Sequence, residues 1–140
     1  MTDQPTDNPS NDALLEVNDL RTYFYTHEGE VRAVDGVSFT MKRGSILAIV
    51  GESGCGKSVT AYSILRLIQK HGKIVSGQVT FRPAGEPPID IAALTEKDDR
   101  LFRIRGGLAS MIFQEPMSAL SPVHTIGNQI TEAIFLHQDV

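Results

Sequence analysis

The chain has one cysteine, Cys55, so an internal disulfide and a multi-cysteine metal site are both excluded. A lone cysteine also fits a reducing compartment. There is no basic excess: 13 Lys and Arg stand against 17 Asp and Glu, a formal charge of −4. That balance gives no electrostatic footprint for nucleic acid. No apolar run approaches the length of a transmembrane helix, and the N-terminus lacks the basic-then-apolar pattern of a signal peptide. The cytosol is therefore the default expectation. No internal repeat is evident. The first twelve residues, MTDQPTDNPSND, carry Pro5 and Pro9 and almost no apolar side chain, so Met1–Asp12 reads as a disordered tail. Residues 13–140 are enough to build one core.

Against these absences one octapeptide stands out. Residues 51–58 read GESGCGKS and match G-x-x-x-x-G-K-[ST], the phosphate-binding loop, at every fixed position. With Gly at about 7% of average protein, chance supplies this match in well under 1% of chains of this length, roughly. The flanks agree with it. Ser45–Val50 is an almost unbroken apolar run, the pattern of a strand buried on both faces of a parallel sheet. Beyond the loop, Val59, Tyr62, Leu65 and Ile68 recur at helical spacing, with Lys70 and His71 at the expected C-terminal end and Gly72 as its stop. Strand, glycine loop and helix stand in the required order.

Each residue type meets a demand of a nucleotide's phosphates. Gly51 lets the chain leave the strand sharply, and Gly54 and Gly56 permit torsions and close approaches that a Cβ forbids. Amides from Gly54 to Ser58 would then face phosphate oxygens at the positive end of a helix. Lys57 would reach the β- and γ-phosphates of ATP, and the Ser58 hydroxyl would ligate Mg²⁺. Glu52, Ser53 and Cys55 fill free positions of the motif, and Val59 enters the helix, so residues 51–59 are the expected nucleotide-binding segment. Any heightened reactivity of Cys55 beside a cationic loop would be incidental. Glu52, inside the loop, is not placed to act as a hydrolytic base.

Elsewhere the pattern is α/β. Leu14–Arg21 reads as a strand that Thr22–Tyr25 continues or leaves, His27–Glu30 as a hairpin-type turn, and Val31–Met41 as two strands around a kink at Asp35-Gly36. Gly77–Arg82 is a further strand, and Pro83–Pro88 a surface loop. Thr95 is a candidate cap for a charged helix over Glu96–Ile104, whose Arg100, Arg103 and Arg105 alternate with acids as on a solvated face. Leu108–Phe113 reads as a second apolar strand ending at Gln114. Thr125 then caps a helix running to about His137. His124 and His137 read as surface residues.

Two further strings join the loop: LRTYFYTHEGEVRAVDGVSF (residues 20–39) and MIFQEPMSALSPVHTIGNQITEAI (residues 111–134). Together with GESGCGKS they resemble the ATP-binding subunits of ABC transporters, most of all the dipeptide, oligopeptide and nickel importer branch. The resemblance spans nearly everything from Leu14 to His137. It implies a P-loop NTPase fold made of an antiparallel β subdomain and the start of a RecA-like parallel sheet. It implies that Phe24 stacks on adenine, with Tyr23 or Tyr25 as alternatives, and that Gln114 is the Q-loop glutamine reaching Mg²⁺ and the attacking water. An amide at a strand end offers both a donor and an acceptor for that purpose. Implied partners are integral membrane permease subunits, a second ATP-binding subunit packed head to tail, and an extracytoplasmic solute-binding protein, with no nucleic acid. The implied location is the cytoplasmic face of the inner membrane. Peptide is the substrate the resemblance favours.

The family pattern continues with an LSGGQ-type signature, a Walker B strand ending in Asp-Glu, and a switch histidine. This sequence contains none of them. Without the Walker B acid the Mg²⁺ shell is incomplete, and without the following Glu no group is set to deprotonate water. The chain thus reads as the N-terminal part of a longer ATPase, able to bind nucleotide without efficient hydrolysis. No guanine-reading N-K-x-D occurs, which argues against a GTPase.

Overall fold

The computed structural model describes residues 12–115 and 120–137. The proposed tail, apart from Asp12, lies outside the described residues, as does the stretch 116–119 of the Gln114 string. The chain divides into two compact units, Met1–Leu94 and Thr95–Val140.

The first unit is built on one antiparallel sheet. Its strands are β1 (Ala13–Thr26), β2 (Gly29–Lys42), β3 (Gly72–Phe81) and β4 (Ile89–Asp90), in the order β2-β1-β3-β4. β1 and β2 form a long hairpin closed by Thr26↔Gly29. Period-two burial explains β1: Ala13, Leu15 and Val17 are buried, and Leu15 and Val17 pair with the buried Phe81 and Val79 of β3. The alternation then changes phase, and Leu20 and Thr22 become the buried residues. A bulge at Asn18-Asp19 produces the change. Asp19 takes φ 45°, which aspartate tolerates better than most residues, and its N–H donates to Ser38 Oγ at 2.8 Å. Across the ladder Gly77 takes φ 100°, and a Cβ there would stand 2.5 Å from the Asp19 carbonyl oxygen.

Three boundaries differ from expectation. Asp35-Gly36 does not divide a strand: β2 runs through it, and a register shift opposite Leu20-Arg21, with Gly36 at φ 84°, absorbs the irregularity. β3 begins at Gly72 rather than Gly77. The helix after the phosphate loop, α1, spans only Lys57–Ile64. It ends because Arg66 adopts φ 51°, with Arg66 N–H bonded to the Ser63 carbonyl and Leu67 N–H to the Tyr62 carbonyl. That is the Schellman bond pattern, with arginine where glycine is usual. The Arg66 guanidinium is held by the Ala92 carbonyl at 2.6 Å. α1 is tied to β1 by a buried bond between Thr22 and Ser63, 2.8 Å between hydroxyls, while Ser63 Oγ donates to the Val59 carbonyl.

The apolar run Ser45–Val50 is the main departure. It forms no strand, and Ile46 is 99% and Val50 87% exposed. A parallel strand needs a neighbour on its hydrogen-bonding edge, and none among the described residues pairs with this segment.

In the second unit, α2 (Asp99–Arg103) is capped by Asp98, not Thr95. Residues 95–98 first form a turn, Asp98 N–H to the Thr95 carbonyl, and the Asp98 carboxylate then accepts the Arg100 N–H at 3.0 Å. The Arg100 side chain bonds the same carboxylate, which lies below its ordinary pKa for that reason. A wide turn through Gly106 (φ 83°) follows. Leu108–Phe113 is not a strand either, and Ile112 is 96% exposed. α3 (Ile126–His137) starts where expected, with Thr125 Oγ1 accepting the Asn128 N–H at 3.2 Å. Ile126, Ile130 and Ile134 form an exposed apolar row on it. Among the described residues no helix is long and apolar enough to cross a membrane.

Candidate nucleotide-binding site

Residues 51–56 join the unpaired segment to α1, and two of their glycines are left-handed: Gly54 at φ 81° and Gly56 at φ 92°. Gly56 is also fixed by space. A Cβ there would lie 2.3 Å from the Ala33 carbonyl oxygen, a backbone atom of β2 that cannot swing aside. A Cβ at Gly54 would meet nothing, so torsion alone asks for glycine at that position. At Gly51 an added Cβ would approach Cys55 Sγ to 2.6 Å.

Gly56 is the N-cap of α1, and no side chain caps the helix. Of the amides from Gly54 to Ser58, that of Cys55 donates to the Glu52 carbonyl at 3.4 Å. The other four meet no acceptor among the described residues. Uncommitted N–H groups at the positive end of a helix suit the oxygens of a phosphate chain. Lys57 is not simply solvated. Its Nζ donates to the carbonyls of Gly51 at 2.9 Å and Glu52 at 2.6 Å and lies 3.5 Å from Cys55 Sγ, so the ammonium is folded into the curl of its own loop. Glu52, Ser53 and Ser58 are exposed, and Val59 is half-buried. No group of three or more His, Cys, Asp or Glu side chains able to hold a metal occurs among the described residues.

The three aromatics of β1 have different surroundings. Tyr23 is buried, its hydroxyl donates to Asp35 Oδ1 at 2.8 Å, and the Arg32 guanidinium stands 5.3 Å from its ring centroid. Arg21 bonds the same Asp35 oxygen at 2.6 Å. The Tyr23 hydroxyl first, then the two arginines, hold the Asp35 carboxyl below its ordinary pKa of 3.8. Tyr25 is 41% exposed, with Lys73 Nζ 4.9 Å from its ring centroid. Phe24 is half-buried beside Gly72 and Ile68. Sequence reasoning took Gly72 for a helix stop and missed this contact. A glycine entering a strand opposite an aromatic was the available signal.

Gln114 is exposed and belongs to the second unit. His124 is a surface residue as expected, its Nδ1 bonded to Ser121 Oγ at 2.8 Å. Only the backbone of His137 is described, as the last residue of α3.

Residues 34–137 match the family model of the ABC transporter. The chain belongs to the ABC transporter family. The match on this ABC transporter chain takes in the phosphate loop, α1 and Gln114, while all of β1, Phe24 included, and the start of β2 precede it. The chain is 52% identical over 132 residues to a probable peptide ABC transporter ATP-binding protein of Sinorhizobium fredii, covering 93% of this chain and 37% of that protein. It is 47% identical over 128 residues to the oligopeptide transport ATP-binding protein AppD of Bacillus subtilis, covering 91% and 37%. It is 47% identical over 127 residues to the glutathione import ATP-binding protein GsiA of Salmonella typhimurium, covering 89% and 20%. The chain therefore spans little more than a third of the first two relatives. The expected fold class, a partial P-loop NTPase domain with an antiparallel β subdomain, stands. Its parallel sheet is not formed among the described residues.

Proposed function

We propose that this chain is the nucleotide-binding portion of an ATP-binding subunit that powers uptake of di- or oligopeptides through an ABC importer. The observation that carries the reading is the phosphate loop: left-handed Gly54 and Gly56, four uncommitted amides, and Lys57 folded over the loop. These suit a triphosphate, with Lys57 moving from carbonyl to phosphate oxygens. Peptide as cargo rests on the printed names of the relatives.

The donor set also suits Mg²⁺ that arrives with the nucleotide. Ser58 offers an exposed hydroxyl in the first turn of α1, and phosphate and water would supply further ligands. Mg²⁺ would neutralise charge on the β- and γ-oxygens. Phe24 is the residue we assign to the adenine. The subunit would work with membrane permease subunits, a second ATP-binding subunit and an extracytoplasmic solute-binding protein, at the cytoplasmic face of the inner membrane.

The test is calorimetric binding of MgATP to the wild-type chain and to Lys57→Ala, with phosphate release followed in parallel. Binding by the wild type, its loss in the variant, and phosphate release no faster than in buffer are expected. Equal binding by both proteins overturns the reading of the loop. Robust hydrolysis by the 140-residue chain overturns the account of it as a site that binds without turnover.

A further inference from the structure

We infer that Gly72 and Ile68 are positioning residues for the base-binding aromatic: they set the plane of the Phe24 ring and thereby the affinity for a nucleotide's base, but not for its phosphates. The inference rests on the assignment of adenine to Phe24 and goes beyond it. β1 pairs Phe24 with Gly72 at the first residue of β3. A Cβ at position 72 would lie 2.5 Å from Phe24 Cε1, 2.9 Å from Phe24 Cδ1 and 2.5 Å from Ile68 Cγ2. The ring edge and the isoleucine methyl thus occupy the space a side chain at 72 would need. Gly72 has no left-handed torsion, so conformational freedom does not explain it. What glycine supplies here is room.

Backbone hydrogen bonds flank this contact on both strands. Tyr25 N–H donates to the His71 carbonyl at 2.9 Å, and Gly72 N–H to the Gln69 carbonyl at 3.1 Å. His71 sits at φ 71°, which turns the connection after α1 into β3. Tyr23 is committed to Asp35 and Arg32, so the strand cannot rotate to offer a different aromatic without breaking those contacts. The Phe24 ring edge therefore rests at a surface made by Ile68, in the connection after α1, and by Gly72 at the start of β3. A methyl at 72 must push the ring aside. A base stacks on an aromatic face only when the planes are aligned, so tilting the ring forfeits stacking and leaves the phosphate loop untouched.

The experiment measures binding of MgATP and of magnesium tripolyphosphate to the full chain carrying Phe24→Ala, Gly72→Ala, Ile68→Ala, and the double change Phe24→Ala with Gly72→Ala. We expect Phe24→Ala and Gly72→Ala each to weaken MgATP binding by about tenfold, from the worth of one base–aromatic stack. We expect tripolyphosphate binding to be unchanged and the double variant to be no weaker than Phe24→Ala alone, as residues acting through one contact require. If Phe24→Ala weakens MgATP while neither Gly72→Ala nor Ile68→Ala does, the positioning role is overturned and the adenine assignment survives. If Phe24→Ala itself has no effect, both fall. If Gly72→Ala loses both ligands through misfolding, Ile68→Ala decides. Selective loss of MgATP there sustains the inference, and no loss rejects it.

Discussion

At the scale of the residue, the site is governed by a few atoms that leave no alternative. Gly56 is the clearest. Alanine there would have to hold φ near 92° with its Cβ against the Ala33 carbonyl. Gly56→Ala should lower stability by about 2 kcal/mol, the cost of a strained non-glycine residue, and should weaken MgATP binding as well. Chemical denaturation and calorimetry check the two effects separately. Asp35 makes a prediction about pH. Its pKa is depressed in the folded chain, so its contribution to stability is complete above the ordinary 3.8 and is lost as pH falls through the depressed value. The thermal midpoint of Asp35→Asn should lie below that of the wild type at neutral pH, and the gap should close under acid conditions below pH 3.8. A gap that stays constant into that range would show that the Asp35 charge is not what the network uses.

At the scale of the element, the structure is a sheet whose irregularities matter as much as its ladders. The bulge at Asn18-Asp19 and left-handed Gly77 lie opposite each other and reverse the burial phase of β1. Gly77→Ala would bring a Cβ within 2.6 Å of Leu20 Cα and should cost about 2 kcal/mol in urea unfolding, with no change in nucleotide affinity beyond that of the folded fraction. These elements also show what was legible in advance. The phosphate loop, the β1–β2 turn and the Thr125 cap were readable because each depends on a local residue type at a fixed spacing. The end of α1 was not, because Arg66 takes the left-handed position that sequence rules give to glycine, helped by the distant Ala92 carbonyl. The cap of α2 was misplaced by three residues because a turn at Thr95 precedes it and the Asp98 carboxylate serves instead. Residues 45–50 and 108–113 have the composition of buried strands, but composition records only a need for cover, and cover depends on partners far along a chain.

At the scale of the whole molecule, apolar surface is left showing in both units. Ile46 and Val50 in the first, and Ile112 with the α3 row in the second, stand in water. Exposed strand-like segments of this kind pair with copies of themselves. The 140-residue chain should therefore self-associate with rising concentration in sedimentation velocity. Ile46→Lys should reduce that association while shifting unfolding by less than about 0.5 kcal/mol, since the side chain it removes is 99% exposed. The same unpaired segment bears on the phosphate loop it leads into. The loop is moored at its far end by α1 and by Gly56 against β2, but its near end has no ladder, and the ammonium of Lys57 on the Gly51 and Glu52 carbonyls is what gathers it. Lys57 is thus a mooring line as well as a ligand for phosphate, and an alanine there slackens the loop before any nucleotide arrives. Hydrogen exchange at Cys55, whose amide is bonded to the Glu52 carbonyl, should quicken in that variant without ligand. A strand docking along residues 45–50 would take up the slack, tightening nucleotide binding from a place that touches no phosphate.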